Sequence, residues 1–222
     1  MEQSTTNYKI IANEEQLAEF VDWLKDGYYY CCLLARKKYC NSPAVTYDKA
    51  ALKRFTTTKA ALVHKIRQLE CAVGSYIGDK GLPIPQESLA IYITPTPRDL
   101  DRVFYKGISA FAKILEHGNT NKNPHKEILN LIQQTPKCGG LIDFDIDSSD
   151  ISLIEDCQKL VAGNGKVIKT RGGFHFLIDK SKIDDTFDKM WYQKITKIAD
   201  VTGDAMVPIV GCYQGGFIPH FL

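Results

Sequence analysis

A chain of 222 residues, 44% hydrophobic and 24% charged, holds enough apolar material for one large domain or two packed lobes, and its composition is neither disordered nor fibrous. With 28 Lys and Arg against 26 Asp and Glu, the net charge is only +2, so affinity for nucleic acid has to come from local clustering of basic residues. No apolar run approaches the ~20 residues of a membrane-spanning helix, which leads us to expect no membrane partner. The seven cysteines (31, 32, 40, 71, 138, 157 and 212) form no CxxC pair; with their odd count and no leader-like segment, reduced thiols in an intracellular setting are expected, whether cytoplasmic, nuclear or at a site of viral replication. A structural zinc held by distant ligands such as Cys31, Cys40 and a histidine stays open.

In chain order, residues 14–25 place Leu17, Phe20, Val21 and Leu24 at helical spacing, and Gly27 ends that helix. The aromatic and apolar run 28–34 reads as a buried strand leading into Arg36, Lys37 and Lys38. Residues 57–76 read as a second helix, with Leu62, Ile66, Leu69 and Val73 on one stripe. A strand is expected over 89–94, broken where Pro95 and Pro97 remove backbone donors. A helix over 99–117 follows, with Leu100, Val103, Ile108 and Ile114 as its apolar positions, then a polar loop at 119–124 and a short helix near 126–134. The last third alternates: a strand at 138–147, a helix at 149–161, a GNGK turn at 163–166, two strand segments within 166–179 broken by Gly172 and Gly173, a helix at 184–200 and a Gly/Pro-punctuated tail. Strands alternating with helices indicate an α/β or α+β protein, and the GNGK turn, which joins its neighbours closely, points to antiparallel pairing.

LIDFDIDSSD is the most informative segment. In a strand, Asp143, Asp145 and Asp147 share one face while Ile142, Phe144 and Ile146 take the other. Like charges about 7 Å apart repel, and hard divalent cations such as Mg²⁺ or Mn²⁺ are the natural counter-ions for such oxygen donors. A solvated edge strand is the plain alternative. An EF-hand loop is excluded, since the sixth position from Asp143 is Ser148 and the twelfth is Ile154. Further on, TRGGFHFLID puts His175, Leu177 and Asp179 on one strand face and Phe174, Phe176 and Ile178 on the other. The glycines signal close approach of a ligand or of another backbone, and His175 with Arg171 is suited to holding phosphate oxygens. Taken alone, a strand histidine is more often structural.

Together these segments resemble the catalytic core of the archaeo-eukaryotic primase (primase–polymerase) superfamily. LIDFDID is similar to the family's Asp-x-Asp motif, Gly173-Phe174-His175 to its small-x-His motif, and GDAMVP, centred on Asp204, to its late carboxylate; the tail with Pro208, Gly211, Gln214 and Gly216 is similar to the segment after that carboxylate. The match covers residues 138–222 and is loose before them. The resemblance implies an α+β, two-lobed core with a mixed or antiparallel sheet, an RRM-like catalytic lobe and flanking helices: one module over 1–222, with an N-terminal lobe at 1–137 and a catalytic lobe at 138–222. It implies template-directed transfer of nucleotides from nucleoside triphosphates to a 3′-hydroxyl on a single-stranded template, with a helicase or other replication protein as a partner. Asp143, Asp145, Asp147 and Asp204 become the expected Mg²⁺ or Mn²⁺ ligands, with either Asp143/Asp145 or Asp145/Asp147 as the strand pair. His175, Arg171, Gly173 and Lys169 are expected at the triphosphate, and Arg36, Lys37, Lys38 and Arg98 at nucleic acid. Two other readings of the same carboxylates are a metal-dependent nuclease or phosphohydrolase and an inactive nucleic-acid-binding replication protein.

Overall fold

The computed structural model describes residues 6–116, 118, 122–203 and 205–222. Asp204, the end of the expected third helix at residue 117 and loop residues 119–121 lie outside the described residues. The described chain is α+β, with two antiparallel sheets and six α-helices. None of these helices is long and apolar enough to cross a membrane.

The first sheet has the order β2-β1-β3-β8, from Ala50–Thr58, Tyr28–Ala35, Leu89–Ile93 and Val207–Pro208. Strand β1 is apolar without interruption because both of its faces are covered. Tyr29, Cys31 and Leu33 enter a core with Leu17 and Phe20 of α1 (Glu14–Trp23) and Leu62 and Ile66 of α2 (Leu62–Arg67). Tyr30 and Cys32 enter another core, with Val103 of α3 (Leu100–Glu116) and Leu129 and Ile132 of α4 (Pro124–Gln133). Both helices of that pair are capped from the sequence: Asp99 accepts from the Arg102 amide at 3.0 Å, and Asn123 accepts from the His125 amide ahead of Pro124. Gly107 brings α4 close, since a Cβ there would stand 3.1 Å from Ile128 Cδ1.

The second sheet has the order β7-β4-β6-β5-β9, from Asp200–Gly203, Leu141–Ile146, Phe174–Asp179, Gly165–Lys169 and His220–Phe221. Its first four strands are laid down as β4-α5-β5-β6-α6-β7, with α5 at Ile151–Leu160 and α6 at Trp191–Ile195, which is a split β-α-β plan. Both helices pack on one face of the sheet, where Phe144, Ile146, Phe176 and Ile178 meet Ile154, Cys157, Trp191 and Ile195. The opposite face carries Asp143, Asp145 and His175. After β7 the chain returns to the first sheet through β8 and then to the second through β9, so the tail joins both.

Three expected elements come out differently. Residues 57–76 are not one helix: β2 runs into Thr58, and α2 is confined to Leu62–Arg67. The turn beyond it places Gly74 at φ +94°, and Val73 is exposed. The helix expected over 184–200 shrinks to α6, because Asp184 accepts from the Thr186 amide and Asp188 from the Met190 amide, local bonds that compete with helical ones. On α3, Ile108 does not face the core; it is 70% exposed, and Val103 and Gly107 are the buried positions.

Candidate active site

Between the two sheets lies a cleft of about 680 Å³. One wall comes from the open face of the second sheet and its hairpin: Asp145, Asp147, His175, Thr170 and Gly172. The other comes from β1, β2 and their neighbours, where Tyr30, Cys32 and Leu34 lie beneath Arg36, Lys38, Lys49 and Arg54. Tail residues Ala205, Met206 and Gln214 line the same space. Carboxylates thus face cations across one opening.

The acidic wall follows from strand register. Asp145 is paired with His175 across β4 and β6, so both side chains stand on one face, and Asp143 lies diagonally beside them. The Asp143 carboxylate is fully buried, and both of its oxygens contact His175 Nδ1, at 2.9 and 3.1 Å. Asp145 is half-buried, while Asp147 lies just past the strand end and is exposed. Asp145 and Asp147 line the cleft, and Asp143 is engaged with the histidine. Gly173 is small for a specific reason, because a Cβ there would run into the backbone carbonyl of Ile146. That close approach brings the β5–β6 hairpin onto the end of β4 and sets His175 beside the aspartates.

Burial alone would lower the pKa of His175, but its hydrogen bond to Asp143, with the charges of Asp143, Asp145 and Asp147, outweighs this and raises it. The imidazole is therefore biased toward its charged, doubly donating form. For Asp145, burial raises the carboxyl pKa; the nearby His175 lowers it, Asp143 and Asp147 raise it, and Lys38 lowers it from across the cleft. The net shift is upward, the mark of a carboxylate whose charge is incompletely compensated.

The expected basic residues divide by environment. Arg36 is buried and held by Asp48, with Nε at 3.0 Å from both carboxylate oxygens and Nη2 at 2.8 Å from Oδ2, and it donates to Tyr92 Oη at 2.6 Å. Lys37 and Lys38 are exposed, and only Lys38 lines the cleft. Arg171 stands at the rim, stacked on Tyr39 at 4.6 Å and donating to the Gly215 carbonyl at 2.6 Å. Two expectations are corrected. Arg98 is fully buried and donates to the carbonyls of Thr96 and Gln133, so its charge is turned inward, away from any nucleic acid. Lys169 is paired with Phe174, on the sheet face opposite His175, and its ammonium lies 3.9 Å over the Phe174 ring. It does not line the cleft.

Several cleft contacts were not foreseen from the sequence, which named Gln214 only as part of the tail. Arg54 reaches Tyr30 Oη and Asn130 Oδ1, the latter at 2.6 Å, and stacks on Tyr30. Gln214 accepts from the Arg171 amide at 2.9 Å and donates to Tyr92 Oη at 3.3 Å, tying the hairpin to the first sheet. The available signal was β1 itself: a strand buried on both faces implies a second layer, and its Tyr30, Cys32, Leu34 face had to meet something.

Among the described residues, no three His, Cys, Asp or Glu side chains form a group that could hold a metal ion. This bears on zinc too: Cys31 is fully buried in the apolar core, and the half-buried Cys40 thiol lies 3.9 Å from the Arg36 carbonyl. For Mg²⁺ or Mn²⁺ the donor chemistry fits. Asp145 and Asp147 supply hard oxygens at the cleft, and Asp145 carries the strained charge a cation would relieve. No family profile, curated protein or solved structure matches the chain.

Proposed function

We propose that this protein is a template-directed nucleotidyltransferase of the primase–polymerase kind, acting at the cleft between the two sheets. The observation that carries the proposal is the opposition of walls: Asp145, Asp147 and a histidine biased toward its charged form face Arg36, Lys38, Lys49 and Arg54 within one cleft. The split β-α-β order of the motif-bearing sheet supports reading it as an RRM-like catalytic lobe, with the first sheet as the second lobe of the core. Asp-x-Asp, small-x-His and the late carboxylate at Asp204 fall in the order that the primase resemblance requires.

Mg²⁺ or Mn²⁺, held by Asp145 and Asp147 with Asp204 as the expected third ligand, would supply charge neutralisation at the attacking and leaving oxygens. The chain's own residues do the rest. His175, held through Nδ1 by Asp143, lines the cleft, where its other ring nitrogen would donate to a phosphate oxygen and protonate departing pyrophosphate. Arg171 at the rim clamps the outer phosphates. Lys38, Lys49 and Arg54 hold the template backbone, and Tyr30 beside Arg54 offers a ring face for a base.

A primed or bare single-stranded template incubated with Mn²⁺ and labelled nucleoside triphosphates tests this. Labelled products longer than the starting strand are expected, and Asp145→Ala eliminates them. Products only shorter than the input would establish the nuclease reading instead. Template binding without any chemistry, unchanged by Asp145→Ala, would establish the inactive replication protein.

A further inference from the structure

The outer face of α3 exposes a row of large apolar side chains. Phe104 is 61% exposed, Tyr105 78%, Ile108 70% and Leu115 76%. These residues form a stripe along Leu100–Glu116 on the side away from α4, with a strip of charge beside it. Single exposed apolar side chains are ordinary, but a run along a whole helix signals a partner surface.

Its charges identify the occupant. Arg102, Ser109 and Glu116 are seven residues apart, so they share one heptad position flanking the stripe. When two copies of α3 pair antiparallel about a two-fold axis at Ser109, Arg102 of each copy faces Glu116 of the other, and Ser109 faces itself. In the same pairing Tyr105 packs near Leu115 of the other copy and Ile108 near Ala112, each pair offset by two residues from the level of Arg102 and Glu116, and Asp101 lies beyond the overlapped apolar stretch. A parallel pair would instead set Arg102 against Arg102 and Glu116 against Glu116. We propose that α3 is a self-association surface through which a second copy of this chain docks antiparallel, closing an isologous two-fold interface.

A 17-residue helix is only about 25 Å long, so this seam falls short of the standard ~1,600 Å² interface, and micromolar self-affinity follows. The experiment is sedimentation velocity on the full chain over a concentration series. Wild type is expected to shift from monomer to dimer in the micromolar range. Ile108→Glu should hold it monomeric with an unchanged circular dichroism spectrum, because the side chain is exposed. Arg102→Glu and Glu116→Arg should each raise the dissociation constant about tenfold, since two ion pairs become two repulsions, and the double variant should restore it. A chain that stays monomeric at all concentrations, or a double variant no better than either single one, overturns the proposal. So does a dimer that Ile108→Glu leaves intact.

Discussion

On the basic wall of the cleft, Arg36 and Arg54 are engaged before any ligand arrives: Arg36 by Asp48 and Tyr92, Arg54 by Tyr30 and Asn130. On the acidic wall, Asp143 has His175, but burial and like charge push the Asp145 carboxyl upward, and exposed Asp147 stands beside it. The Arg36 charge on one wall has its counter-charge in Asp48, whereas the Asp145 charge on the other is not fully compensated. Completed charges fix the shape of a site, whereas uncompensated ones cost stability and are retained where a ligand supplies the balance.

The sharpest way to break this contrast is Asp145→Ala. Nucleotide incorporation should fall about 10³-fold, roughly 4 kcal/mol of barrier, with the fold intact. A steady-state extension assay measures the loss, and an activity within a few-fold of wild type would remove Asp145 from the chemistry. Next in size is Gly173→Ala, whose methyl must displace the Ile146 carbonyl. A stability loss of about 3 kcal/mol in urea unfolding is expected, along with disturbed His175 positioning. On the other wall, Arg36→Met should cost about 2 kcal/mol, below the usual figure for a broken buried pair because Asp48 is 38% exposed.

The smallest effect has the opposite sign. The folded-state pKa of Asp145 lies above its unfolded value, so its charge is a penalty on folding that is present at neutral pH and disappears as pH falls through that folded pKa. Without metal, Asp145→Asn should therefore stabilise the protein at pH 7, by less than ~1 kcal/mol because solvent screens the half-buried group. The gain should vanish in acid. Thermal unfolding of both proteins with EDTA across pH checks this, and a destabilised Asn variant at neutral pH would contradict the unbalanced-wall picture.

Much of the acidic wall was legible from residue order. Period-two alternation through LIDFDI and FHFLID placed Asp143, Asp145 and His175 on one side and the phenylalanines on the other, as the structure has them. The places of strand β1 and of helices α3 and α4 were legible, although the stripe assigned to α3 put Ile108 in the core. The basic wall was not. It depends on β2, which the sequence reading did not identify: residues 50–56 were given no element and Thr57 and Thr58 were placed in an expected helix, although three consecutive threonines favour a strand. Arg98 misled because a charge beside a Pro-x-Pro turn reads as surface, yet its guanidinium satisfies carbonyls where β3 ends. The role of Asp143 was hidden for a related reason. Alternation gives the shared face, and only the diagonal offset between β4 and β6 tells which carboxylate the imidazole engages.

Manganese titration followed by electron paramagnetic resonance, with and without a non-hydrolysable nucleoside triphosphate, tests the unbalanced wall most directly. The wild-type chain is expected to take up Mn²⁺, more tightly when the nucleotide is present, and Asp145→Ala is expected to lose that uptake while Arg36→Met keeps it. Equal Mn²⁺ uptake by wild type and Asp145→Ala, or none by either, would contradict it.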